Sequence, residues 1–184
     1  MATEFYVEQA DRSPQSGIAS EEIYAGTLVY DDGTGVSNLV FADADGEFGL
    51  ARYDATAFAR EYDDEVREDK YEPNDPQRER VQYQAFEDSM VGRPRTISDD
   101  TAAAPAIGHR DVIGYIDETV GDAPANAAGR VVEEGYTNGA TTFDRATGNF
   151  KAIGVAYRPG RRTGEAIDEY DYPVRVVFYS EPQE

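Results

Sequence analysis

Apolar residues along this chain recur mostly at every second position, in short runs cut by turns rich in glycine and aspartate. In IYAGTLVY, starting at Ile23, Leu28 and Tyr30 fall on one side of a strand, and DDGTG follows as a turn. SNLVFAD places Leu39 and Phe41 in phase, DADGEFG supplies the next turn, and GLARYD adds a short strand. Apolar runs parted by Asp-Gly turns are the mark of antiparallel hairpins.

Residues 54–70, DATAFAREYDDEVREDK, break that period. Phe58, Tyr62 and Val66 recur every fourth residue and share one helical stripe, with Asp54 placed to cap the start. Arg60 with Asp64, and Asp63 with Arg67, stand one turn apart and can pair. The prolines of YEPNDP end any helix. The pattern predicts one helix laid over a sheet.

Beyond it RVQYQAF alternates Val81, Tyr83 and Ala85, and VGRPRTISDDTAAAPAIGH is a long connection. DVIGYIDETVG reads two ways. Ile113, Ile116 and Val120 suit a helix closed by Gly121, whereas Gly114 and the Val, Ile and Tyr content favour a strand. GDAPANAAG is turn material; GRVVEEGYTNGATTF, GNFKAIGVAYRPG and YPVRVVFYSEPQ supply three more β segments. The last of these is apolar enough to be an interior strand covered on both sides.

The sum is about seven or eight strands with one or two short helical insertions. Crossover helices between the strands are missing, which excludes a parallel α/β sheet. The expected fold is all-β, a single jelly-roll barrel or sandwich spanning residues 23–180. Residues 1–22 open on FYV and dissolve into polar residues with Pro14 and Gly17, an arm that pairs with a neighbour or stays loose. Residues 181–184 are expected to be a C-terminal tail.

In GNFKAIGVAYRPG, simple alternation puts Ile153, Val155 and Tyr157 on one face and Phe150, Ala152, Gly154 and Ala156 on the other. A face of small side chains lets another backbone or ring come close. The glycines lack the spacing of a phosphate-cradling loop, and Lys151 is not the lysine of one.

Charge changes the picture most. The chain has 37 acidic against 17 basic residues, a net charge of −20, and its only lysines are Lys70 and Lys151. Such a charge opposes compaction at ordinary ionic strength, and concentrated salt screens it. A carboxylate-rich, lysine-poor chain is therefore expected to work in brine. The same field argues against binding a nucleic-acid backbone. Cysteine is absent, so disulfides and thiolate metal sites are excluded. MATEFYVEQADRSPQSG carries no basic stretch followed by an apolar core, so no signal peptide is expected. No apolar run approaches a membrane span.

Candidate chemistry is thin. His109 lies two residues from Asp111, and Ser98 or Ser89 would be the nucleophile of a hydrolase, but no nucleophile elbow accompanies them. Asp43, Asp45 and Glu47 in DADGEFG invite a calcium reading, yet Gly46 and Asp54 stand at the wrong places for a helix–loop–helix site. Arg158, Arg161 and Arg162 form the densest basic cluster, suited to bidentate pairing with carboxylates of another subunit or with phosphate headgroups. Thirteen tyrosines exceed the needs of a small core and favour interfaces. No catalytic residue, cofactor or metal is assigned, and self-association is expected.

Chain size, acidity, absent cysteine, the β-rich stretch 23–180 and the opening MATEFYVEQADRSPQSGIASEEIYAG together resemble one family. It is the smaller major capsid protein of tailless icosahedral haloarchaeal viruses that enclose an internal membrane. The resemblance implies a single vertical jelly roll that assembles with itself and a larger capsid protein into pseudo-hexameric capsomers, in the virion's capsid shell. It implies no catalytic residues; on this reading loops such as 92–110 and 157–169 contact neighbours, and the N-terminal arm reaches an adjacent subunit or the face of the internal viral membrane. GNFKAIGVAYRPG also resembles segments of β-rich head-decoration proteins of tailed phages. A carbohydrate-binding β-sandwich and a salt-adapted hydrolase built around His109 are the alternatives outside the virion.

Overall fold

The computed structural model describes residues 7–53, 55, 80–97, 107–158 and 174–184. The described residues are all-β, with antiparallel strands in two main sheets and one hairpin. The strands are β1 (Val7–Gln9), β2 (Gln15–Ile18), β3 (Leu28–Asp31), β4 (Val36–Asn38), β5 (Glu47–Ala51), β6 (Arg80–Ala85) and β7 (Val91–Gly92). They continue with β8 (Val112–Ile116), β9 (Val132–Glu133), β10 (Tyr136–Asn138), β11 (Thr141–Phe143), β12 (Phe150–Arg158) and β13 (Arg175–Gln183). One sheet runs β1-β7-β13-β12-β8-β9, the other β2-β6-β5-β3-β4, and β10 pairs with β11.

Alternation along each strand explains how the sheets stack. Leu28 and Leu50 of the second sheet meet Ile113, Tyr115, Val176 and Phe178 of the first in a central core. The intervening residues of β3, β5 and β6 point the other way: Val29, Ala51, Val81 and Tyr83 form a second cluster with Ile23 and Ala55. Ile116, Phe150 and Ala152 face away from the central core and pack beneath Tyr136 and Phe143 of the β10–β11 hairpin. Each sheet thus has buried residues on both faces, while Ile18 of β2 and Tyr157 of β12 stay exposed. At about 1.5–3 kcal/mol for each large apolar side chain removed from water, three clusters rather than one let short strands hold together.

The described part of the expected arm, residues 7–22, is not an arm. β1 pairs with β7 in one sheet and β2 with β6 in the other, so this stretch closes both sheets of its own chain. Its strands are edge strands whose side chains are mostly exposed. Backbone hydrogen bonds hold them, so no apolar period is needed to place them. The expected tail is also absent: β13 continues to Gln183, which pairs with Ala152.

The ambiguous DVIGYI segment is strand β8, flanked by β12 and β9. Gly114 decides it, because a Cβ there would collide with the Lys151 carbonyl and stand 2.5 Å from Phe150 Cζ. SNLVFAD forms its strand earlier than its apolar residues suggest. β4 ends at Asn38, and the Val40 and Asp43 backbones turn back on each other. The predicted helix at 54–70 lies outside the described residues except at Ala55, whose backbone bridges to Ile23.

Simple alternation fails in β12. Between Ala152 and Gly154 it holds one residue more than β8, whose partners there are the adjacent Gly114 and Ile113. This bulge inverts the phase. Phe150 and Ala152 join the outer cluster under the hairpin, whereas Ile153 and Ala156 enter the central core. Gly154 sits where any Cβ would strike the Val177 carbonyl and Val176 Cγ1 (2.7 Å). Close approach of neighbouring backbone is what its missing side chain permits.

Candidate functional site

At the end of the sandwich where β3 leaves and β5 begins, an open cleft of about 790 Å³ is framed by three chain segments. They are the turn at 31–33, the turn at 43–48 and the last residues of β13, with Tyr115 and Lys151 as its floor. Seven Asp or Glu side chains line it, against two cations, Arg12 and Lys151.

Local chemistry builds each wall. In the first turn Asp31 accepts from the Gly33 amide at 2.8 Å. Asp32 accepts from the Thr34 amide and hydroxyl, both at 2.7 Å, and from the Gly35 amide at 3.0 Å. Gly33 takes φ +83°, a conformation glycine adopts without penalty. Hydrogen bonds from Thr34, then from Gly35, hold the Asp32 carboxyl below its usual range. In the second turn the Asp43 carboxylate accepts from the Val40 amide at 2.9 Å. Burial, aided by the nearby Glu118 charge, nevertheless pushes Asp43 up, against the pull of that amide.

Asp31 and Glu47 stand directly opposite each other on β3 and β5, an arrangement of like charges that destabilises a sheet. The Tyr83 hydroxyl lies 2.8 Å from a carboxylate oxygen of each. One phenol carries one proton, so it cannot satisfy both at once. Burial, then its bonds to Glu47 and Asp31, push the phenol well above its usual range, so it stays protonated.

The floor is similarly poised. Lys151 donates to the Phe41 carbonyl at 2.8 Å and lies 4.6 Å from the centre of that ring. Tyr115 is 1% exposed and packs edge-on to Phe41. Its hydroxyl is buried without a hydrogen-bond partner. Burial, then the charges of Asp43, Glu118 and Glu184, raise this phenol too.

Of the three residues of the calcium reading, Asp43 is tied to its own turn, Glu47 to Tyr83, and Asp45 is exposed. They share the cleft without converging; among the described residues no three acidic or imidazole side chains are gathered to hold a metal ion. Among the described residues, His109, Asp111 and Ser89 of the hydrolase reading are each engaged with backbone of their own surroundings. His109 is exposed with Nδ1 2.8 Å from the Tyr157 carbonyl, while Asp111 caps the Gly108 amide of its own turn. Ser89 bonds through its amide to the Phe178 carbonyl on the far side of β13. Ser98, Arg161, Arg162 and the Arg158 side chain lie outside the described residues.

Among the described residues, the opposite end of the first sheet gathers arginines. Arg158 and Arg175 are cross-strand partners, and Gly92 pairs with Val176, which brings Arg93 alongside. The guanidinium groups of Arg93 and Arg175 both pair with the single carboxylate of Glu8, the second at 3.0 Å. Sequence reasoning reaches the acidic turn and the arginine cluster separately. It misses Tyr83 and Tyr115, which read as ordinary core residues, and it misses that the two clusters sit at opposite ends.

Comparison of the chain with protein-family models, with curated proteins and with solved structures finds no match. No helix among the described residues is long and apolar enough to cross a membrane.

Proposed function

We propose that this chain is a structural subunit of the capsid shell of a halophilic archaeal virus, assembling with copies of itself and with a larger capsid protein. The observation that carries this reading is the two-sheet body with buried clusters on both faces of each sheet. A protein so built leaves its turns and strand ends as the places where neighbours in a shell would meet. The sequence resemblance to the single vertical jelly-roll capsid proteins supports the same reading. In it, the jelly-roll label covers a sandwich whose sheets exchange the chain at β1–β2 and β6–β7, with β12 and β13 as neighbours in one sheet.

The polar cleft and its surplus of carboxylates suit contact with proteins better than turnover of a substrate. No nucleic-acid binding belongs to this role, because the net charge of −20 repels phosphates. A place in the virion shell, with one end facing an internal membrane, follows from the resemblance and belongs to the proposal. The test is to purify particles in high salt and count this chain by quantitative mass spectrometry against the other shell proteins. Hundreds of copies per particle are expected. A chain missing from the particles, and monomeric in solution at every salt concentration, overturns the role.

A further inference from the structure

We propose that the acidic cleft receives the arginines of the 158–162 segment from a second copy of this chain. The cleft is more than a collection of carboxylates. Tyr115, 1% exposed, presents at its floor a buried hydroxyl with no partner, an arrangement that costs stability unless something bonds to it. On the walls, the exposed carboxylates of Asp45 and Glu181 leave acceptor capacity for a donor with more than one N–H. A planar guanidinium offers five such donors in a fork that matches a carboxylate pair. An ammonium is a point donor, and Lys151 already places one there on the Phe41 carbonyl.

Chain geometry favours an intermolecular contact. Lys151 lies at the cleft and Arg158 at the far end of the same strand, about 20 Å away at the usual strand rise. Arg161 and Arg162 follow within four residues, so only a fully extended backbone of about 14 Å and a fully extended side chain doubling straight back would return either guanidinium to its own cleft. A second copy meets no such demand. The described residues at that far end are themselves cation-rich, with Arg93 and Arg175 sharing one carboxylate. Each copy thus carries an acidic cleft at one end and an arginine-bearing segment leaving the other, and two copies satisfy both by bringing opposite ends together. The contact needs only that copies meet; it rests on the shell reading in no other way.

The probe is a fluorescent peptide of residues 156–164, AYRPGRRTG, titrated with the full-length chain and followed by anisotropy at about 1 M salt, where diffuse attraction is screened to a few ångströms. Saturable binding is expected. Asp45→Asn with Glu181→Gln, both exposed positions, should weaken it at least about tenfold, and Tyr115→Phe about threefold or more without loss of fold by circular dichroism. Glu22→Gln, an exposed acid outside the cleft, should leave it unchanged, and the lysine peptide AYKPGKKTG should bind more weakly. Absence of saturable binding, equal loss in Glu22→Gln, full affinity in the cleft variants, or equal binding of the lysine peptide overturns the proposal. Particles rich in this chain but no peptide binding would sink the contact and leave the shell role standing; the reverse result would do the opposite.

Discussion

At the scale of single residues, two positions separate packing from function. Gly114 is enclosed by the Lys151 backbone and the Phe150 ring, whereas a Cβ at Gly121 would meet nothing within 4 Å. Gly114→Ala is expected to lower unfolding stability by about 1–3 kcal/mol, the usual cost of overpacking. Gly121→Ala should leave it within about 0.5 kcal/mol; urea titration measures both. Tyr115 carries the opposite expectation. Replacing it with Phe removes an unpartnered buried hydroxyl and should stabilise the isolated chain by about 1 kcal/mol. A loss of stability instead would mean that the hydroxyl has a partner within its own fold.

At the scale of elements, the hairpin that covers the first sheet depends on polar residues outside itself. The Asp122 carboxylate accepts from the Ala140 amide at 3.1 Å and the Thr141 hydroxyl at 2.8 Å, and the Asp122 carbonyl accepts from Asn138 at 2.7 Å. Beside it, Arg145 grips Glu134 with two bonds of 2.7 and 2.8 Å. Asp122→Ala should cost about 1–2 kcal/mol and speed amide hydrogen exchange in β10 and β11 before that in β12. Uniform exchange across all three would show that the hairpin is not a separable lid. Alternation in the sequence reveals β3, β5, β6, β12 and β13 because their side chains face a core on at least one side, and leaves β8 open between helix and strand. It cannot reveal β1 and β2, which are held at edges by backbone bonds while their side chains face water. Nor can it place the β12 bulge, since one inserted residue leaves composition unchanged while inverting the faces. Of the cleft, the acidic turns are visible as Asp-Gly motifs. The Tyr115 phenol at its floor is not, nor is the Tyr83 phenol in the cluster behind the second sheet, which only the folded register sets against Asp31 and Glu47.

At the scale of the whole molecule, charge sets the conditions under which the fold persists. With a net charge of −20, self-repulsion is strongest in dilute buffer and is screened within about 3 Å at 1 M salt. The thermal midpoint at neutral pH should therefore climb as salt rises from about 0.05 to 2 M, most steeply at the low end. Mild acid should act in the same direction at low salt by discharging carboxylates. Asp43, raised by burial, contributes here: its stabilising effect is full below the ordinary aspartate value and fades as pH rises through its higher folded value. Asp32 and Glu134 act oppositely. Their carboxylates are lowered by hydrogen bonds from Thr34 and from Arg145, so what they add is complete above the ordinary carboxylate range near pH 4 and is lost as pH falls towards their folded values. At low salt the midpoint should accordingly pass through a maximum on acidification, on the acid side of neutrality. In molar salt, with the global repulsion already screened, the rise should flatten and the acid-side fall remain. Differential scanning calorimetry over a grid of pH and salt reads this directly. A midpoint indifferent to salt at neutral pH would show that the acidic surface does not govern the stability of this fold.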